Sequence, residues 1–294
     1  MEEQKKCQNS SSCSGDCDNC PHSSCSGDCS SCSSKCGGSK EDFLVQLNDK
    51  SKIKLVIGVL SGKGGVGKSL VTSLLAVGLN DGDERVGILD ADITGPSIPQ
   101  SFNIHQRALG ENNLIYPAIS DKGIEVVSAN MFLENEDDPI LWRGSMISSM
   151  VVQFYTDVLW SDIDYLVCDM PPGTGDVALT IFQQLPVDGI VIVTSPQELV
   201  SMIVKKAVKM ANMMNIPIIG IVENMAYVEC PNCDEKIEIY GKSHLEDIAK
   251  EYNIEILGRI PLNPEIAKAV DAGNIESIDA SKYLSRLIEK VRHL

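Results

Sequence analysis

The sequence predicts an α/β fold with a mostly parallel, doubly wound sheet, and three observations carry that prediction. Short runs rich in Val, Ile and Leu alternate with stretches of helical spacing from residue 53 onward. Such alternation implies parallel strands covered by helices on both faces. The first run, 53–60, passes into Ser61-Gly-Lys-Gly-Gly-Val-Gly-Lys-Ser69 and then into 70–79, whose apolar spacing suits a helix. Later runs end in acids, Asp90 and Asp169. In open α/β sheets ligands sit at the carboxyl ends of strands, where these acids fall.

The loop after the first strand fits the pattern G-x-x-x-x-G-K-[ST] at Gly62, Gly67, Lys68 and Ser69, in the strand–loop–helix setting that pattern requires. From Gly62 through Gly64, Gly65, Val66 and Gly67 to Leu70, the backbone N–H groups are free to turn inward around an anion. The following helix N-terminus adds partial positive charge. Lys68 is placed to reach the outer phosphates of ATP, and the Ser69 hydroxyl to sit on Mg²⁺. The bland alternative is a glycine-rich turn that binds nothing, and the full match weighs against it.

At 294 residues the chain has room for one large α/β domain, taken as 41–294, and a small appendage, 1–40. Its net charge of −16 argues against a nucleic-acid backbone as the main partner. No segment approaches the ~20 consecutive apolar residues of a membrane span. The N-terminus lacks the apolar core of a signal peptide, so a cytoplasmic location is expected. Eleven cysteines then read better as metal or cluster ligands than as disulfides.

The appendage is rich in Ser, Cys, Gly and Asp and holds eight of the eleven cysteines. Cys13-Ser-Gly-Asp-Cys17-x-x-Cys20 recurs as Cys25-Ser-Gly-Asp-Cys29-x-x-Cys32, which reads as a duplicated ligand loop. An iron–sulfur site using Cys17, Cys20, Cys29 and Cys32 is the first reading. A zinc site with His22, and a disulfide-linked or unfolded tail, remain open.

Along the body, a short helix is expected at 43–47, strands at 85–89, 124–127 and 165–168, and a loop over 98–120. A helix is expected at 145–159. The acids at 134–138 read as a solvated loop. Asp169 takes the position where a carboxylate holds Mg²⁺ through water, and Pro171-Pro-Gly173 follows it as a turn able to answer a γ-phosphate. Cys168 reads as a buried core thiol, and Met202, Met210, Met213 and Met214 as flexible core filler. Strands at 189–193, 218–222 and 254–260 alternate with helices ending near Met214 and Tyr252, and a helix at 281–293 closes the chain. Cys230-Pro-Asn-Cys233 brings two thiolates, whereas a [4Fe–4S] cluster or tetrahedral zinc needs four ligands. A twofold dimer, with one pair from each chain, closes the set most simply. A redox pair and a zinc knuckle completed in a dimer stay open.

Lys63-Gly-Gly-Val-Gly-Lys-Ser69 resembles the deviant phosphate loops of a group of ATPases that includes nitrogenase iron protein, the MinD and ParA partition proteins, and the Mrp/ApbC proteins. The resemblance implies that Lys63 crosses a dimer interface and acts in trans. Asp90-Ala-Asp-Ile-Thr-Gly-Pro-Ser97, the Trp142-Arg-Gly144 segment and Asp169-Met-Pro-Pro-Gly-Thr-Gly-Asp176 are similar to Mrp/ApbC iron–sulfur carriers, the last run most specifically. That family implies that Asp92 positions or deprotonates the attacking water, and that Asp90 supports Mg²⁺. It also implies that Asn224 meets the adenine edge and that Pro261 lies near the base. Cys230 and Cys233 would then bridge a labile [4Fe–4S] cluster in a homodimer that serves apo iron–sulfur proteins. Two other classes compete. A partition-type switch without a cluster needs a membrane-targeting tail or basic face. A nitrogenase-type reductase needs two widely separated cysteines in each chain.

Overall fold

The structure, a computed structural model, describes residues 43–93, 95, 97–111, 114–133, 144–197, 200–233, 235–241 and 243–294. Cys17, Cys20, Cys29 and Cys32, the acidic run 134–138, and Trp142 and Arg143 lie outside the described residues. Residues 45–294 form one unit. The described chain runs β1 (Lys52–Ser61), α1 (Lys68–Leu79), β2 (Val86–Asp90), α2 (Ile98–Ser101), β3 (Leu109–Glu111), β4 (Leu114–Tyr116), β5 (Ala118–Ile119) and β6 (Glu125–Ser128). It continues through α3 (Gly144–Thr156), β7 (Asp162–Asp169), α4 (Asp176–Gln184), β8 (Gly189–Thr194), α5 (Val200–Met213) and β9 (Ile218–Glu223). It closes with β10 (Val228–Glu229), β11 (Lys236–Ile237), α6 (Leu245–Tyr252), β12 (Ile256–Arg259), α7 (Pro264–Asp271) and α8 (Ser281–Arg292).

One eight-stranded sheet takes the order β12-β9-β8-β1-β7-β2-β6-β5. Its neighbours pair in parallel except β5, which runs antiparallel to β6 at the edge. The reason lies in the side chains. Val56 and Leu60 of β1 face one core and Ile57 and Val59 the other, the two-residue alternation of a strand covered on both sides. Phe154, Ile181, Val204 and Ile248 bring α3 to α6 onto the first face. Leu74, Ile98, Ile266 and Leu287 bring α1, α2, α7 and α8 onto the second. In α8 the buried residues are Leu284, Leu287, Ile288 and Val291, one apolar stripe of helical period. That stripe seats on Gly78 of α1, where an added Cβ would stand 2.3 Å from Ile288 Cδ1.

Several expectations are corrected. Residues 44–47 form no helix. Val45 N–H instead donates to the Gln184 carbonyl at 2.9 Å, and Val45 and Leu47 pack against the first core. Five residues are too few to repay helix nucleation, so docking decides their shape. The span 98–120 is not a plain loop: it holds α2, the β3–β4 ribbon and β5. These elements are two to four residues long, too short for any local period to announce them. Met210 is buried, but Met202 and Met213 are 56% and 83% exposed and fill no core. Cys168 is fully buried as expected, and burial pushes its thiol up to about 12. Helices α4 and α7 were both passed over, although the start of α7 was legible. Asn263 Oδ1 accepts from Glu265 N–H at 2.8 Å, with Pro264 at the first helical position. Among the described residues no helix is long and apolar enough to cross a membrane.

Candidate functional site

Because seven strands of the sheet run parallel, their carboxyl ends share one edge, and the loop 62–67 rises there between β7 and β8. Gly65 and Gly67 have φ of 77° and 79°, the left-handed region open to glycine. Gly67 caps α1 without any side-chain acceptor, and the first turn of α1 carries no acid. The leading N–H groups of the helix therefore have no capping side chain and no acid within their own turn, which is the arrangement that receives phosphate. Gly62 is half-buried, Gly64 exposed, Val66 buried and Leu70 half-buried.

Lys68 is buried, with its Nζ 2.7 Å from Asp169 Oδ2 and 3.4 Å from Asp92 Oδ2. An ammonium has three donors, so with two carboxylates beside it one donor is left to meet a phosphate oxygen. Ser69 Oγ donates to Asp169 Oδ2 at 2.6 Å, and Thr72 Oγ1 to Asp169 Oδ1 at 2.7 Å. Thr72 was not singled out in the sequence. Its signal was there, one helical turn after Lys68 on the same face of α1. The structure thus brings Lys68, Ser69, Asp92 and Asp169 together. Lys63 stands apart from them, its ammonium donating to Gln197 Oε1 of the same chain. Gly173 N–H donates to the Ser61 carbonyl at 2.7 Å, which ties the Pro-Pro-Gly turn to the end of β1.

Asp90 lies opposite Asp169 in the β2–β7 register and is fully buried. It accepts from Ser128 Oγ at 3.0 Å and from Asp92 N–H at 3.2 Å. Burial, with the Asp169 charge behind it, raises the Asp90 pKa from 3.8 to about 8; Lys68 and Ser128 oppose the rise. The sign follows directly. The folded chain keeps a proton that the unfolded chain releases, so metal-free stability falls as pH rises from about 4 to about 8, by at most ~1.4 kcal/mol per pH unit. Asp90→Asn is expected to flatten that slope, as read from urea midpoints at about pH 5 and about pH 7.5. Equal slopes in the two proteins would overturn it.

Asn224 follows β9 and is buried beneath the phosphate loop. Its Nδ2 donates to the Val66 carbonyl at 2.9 Å, and an added Cβ on Gly67 would stand 2.0 Å from that nitrogen. Expected at an adenine edge, its amide nitrogen here supports the loop. Pro261 is buried two residues beyond β12, before the α7 cap.

Cys230 and Cys233 sit in the turn of the β10–β11 ribbon. Cys230 N–H donates to the Glu235 carbonyl at 2.9 Å, which closes the turn. Both thiols are free, Cys230 half-buried and Cys233 exposed. Backbone N–H groups of Asn232 and Cys233 and the Cys233 thiol bond toward Cys230 sulfur, and lower its pKa. Such inward N–H groups suit a thiolate ligand. Among the described residues no group of three His, Cys, Asp or Glu forms around the pair.

Comparison with known proteins agrees with this geometry. The family model ParA, described as NUBPL iron-transfer P-loop NTPase, matches residues 52–293. The iron-sulfur cluster carrier protein of Methanococcus maripaludis is 46% identical over 267 residues, 89% of each chain. That of Clostridium perfringens is 43% identical over 265 residues, 87% of this chain and 93% of its own. A solved nucleotide-binding protein from Archaeoglobus fulgidus, in complex with ADP, has a TM-score of 0.71 at 39% identity, covering 83% of this chain and 95% of that one. A phosphate loop with a buried lysine, acids at neighbouring strand ends and a match spanning nearly the whole body place this chain in the ParA/NUBPL family of iron-transfer P-loop NTPases.

Proposed function

We propose that the protein is an ATP-hydrolysing carrier that holds a [4Fe–4S] cluster between two copies of the chain and hands it to apo iron–sulfur proteins. The observation that carries this reading is the isolated thiol pair. Two sulfurs in a closed turn, with no third donor among the described residues, make half of a four-ligand set. A second copy related by a twofold axis supplies the other half.

The nucleotide end is assigned residue by residue. The loop from Gly62 to Leu70 holds the phosphates through its N–H groups, and Lys68 neutralises the outer ones. The hydroxyl of Ser69 and the carboxylate of Asp169 are hard oxygen donors already 2.6 Å apart, and they fit Mg²⁺ beside phosphate oxygens, with Asp90 behind them. Bound there, Mg²⁺ would neutralise charge developing on the phosphates. Asp92, 14% exposed, is near enough to the phosphate lysine to orient a water. Lys63 releases Gln197 and crosses to the nucleotide of the partner copy. Asn224 and Pro261 border the base. The turn at Gly173, tied to Ser61, shifts when the γ-phosphate leaves and loosens the contact between the copies.

The test is anaerobic reconstitution of the full chain with iron and sulfide in the presence of ATP and Mg²⁺, followed by light scattering and iron counting. Particles of two chains, with about four irons per pair beyond those of the N-terminal cysteines, are expected. A protein that stays a single chain with ATP, iron and sulfide all present would refute the reading.

A further inference from the structure

Five residues separate Asn224, locked under the phosphate loop, from Cys230, and almost every link between them is tied down. Upstream, Glu223 anchors the end of β9: it accepts from the Ser243 hydroxyl and pairs with Arg259 Nε at 3.2 Å. Asn224 N–H donates to the Thr194 carbonyl at 2.8 Å while its side chain holds the Val66 carbonyl at 2.9 Å. Ala226 N–H donates to the Ile260 carbonyl at 2.9 Å, and the Tyr227 carbonyl accepts from Leu262 N–H at 2.8 Å. The Lys236 ammonium lies 4.3 Å from the centre of the Tyr227 ring. Val228 and Glu229 then pair with Ile237 and Lys236, and the ribbon closes on Cys230.

Met225 is the exception. Its φ is 55°, a left-handed conformation that costs a side-chain-bearing residue about 1 kcal/mol or more. A strained residue between two hydrogen-bonded neighbours is where a short segment absorbs rotation. The segment 224–230 spans at most ~25 Å and has no slack elsewhere. A displacement of the Val66 carbonyl therefore turns Met225 or moves the ribbon.

We propose that residues 224–230 are a strap through which nucleotide at the phosphate loop sets the exposure and spacing of Cys230 and Cys233 within one chain, with Met225 as its hinge. The strap deepens the carrier reading, because it gives one copy its own route from nucleotide to thiols. It rests on that reading for its purpose, but not for its test, which uses iron-free protein. Asn224 and Met225 are positioning residues in this scheme, acting on the thiols through the backbone.

The experiment alkylates reduced, iron-free full-length protein with iodoacetamide, and follows Cys230 and Cys233 peptides by mass spectrometry apart from the other cysteines. It is run with and without Mg²⁺ and a non-hydrolysable ATP analogue, at dilutions where light scattering shows single chains. Saturating nucleotide is expected to change the alkylation rate about fivefold or more, the lower range of intramolecular coupling. Met225→Gly, which suits a positive φ and so preserves the fold, is expected to reduce the response to less than about twofold while a fluorescent ATP analogue still binds. The proposal is overturned by an unchanged rate in wild-type protein shown to bind nucleotide, by a response seen only when chains associate, or by a full response in Met225→Gly. An unresponsive pair in protein that loads iron normally would remove the strap and leave the carrier reading. Normal iron loading by Cys230→Ser would do the reverse.

Discussion

Lys68→Ala is expected to lower ATP turnover by about two to three orders of magnitude and to weaken the fold of the nucleotide-free protein. Two effects converge on one atom. The ammonium is the buried cation of the site, 6% exposed, facing Asp169 at 2.7 Å and Asp92 at 3.4 Å. Its loss removes the charge that would meet the outer phosphates. It also leaves a fully buried carboxylate without its partner, a change that typically costs about 3–5 kcal/mol. Asp90 would rise further in pKa, because Lys68 is a main influence holding it down. Steady-state phosphate release and a thermal melt read the two effects separately. The exposed pair Lys52–Asp162 is the control: its side chains are 75% and 64% exposed, and Lys52→Ala should change neither measurement. Turnover within tenfold of wild type in folded Lys68→Ala would refute the assignment.

Cys230→Ser and Cys233→Ser are each expected to remove about two irons per chain from anaerobically reconstituted protein. A serine oxygen is a harder donor than thiolate, and each substitution deletes two of the four ligands in the paired set at once. Wild type and variant share the same N-terminal cysteines, so the count to compare is the difference between the two proteins, not the total. ATP turnover should stay within about twofold, since the thiols lie at the far end of the 224–230 segment from the phosphate loop. Cys168→Ser is the contrasting case. Its thiol is fully buried among apolar residues, so a hydroxyl there should cost stability and leave the iron count alone. Iron content unchanged in Cys230→Ser would place the cluster elsewhere.

Much of the nucleotide end was legible because it is built from neighbours in sequence. Gly62 to Ser69 is one continuous stretch of loop and helix start whose conformation follows from its glycines, and the strands on which it depends declare themselves as apolar runs. The same holds for Cys230 and Cys233, which a turn of two intervening residues keeps together in any fold. What escaped was everything set by pairing at a distance. The sequence contains Asp90 and Asp169 as two strand-end acids, but only the β2–β7 register puts them side by side and forces one toward its neutral form. Ser128 and Gln197 are ordinary polar letters until packing aims them at Asp90 and Lys63. Asn224 was legible as a strand-end residue; that its side chain props the phosphate loop is a fact of the β8–β9 arrangement. By itself the sequence determined the α/β class, the phosphate loop and the thiol pair, because each rests on short-range geometry that a few residues impose. The tertiary structure alone decided which acids share a field, where Met225 is strained, and that a single short segment joins the two sites, because those depend on which strands the sheet sets next to each other.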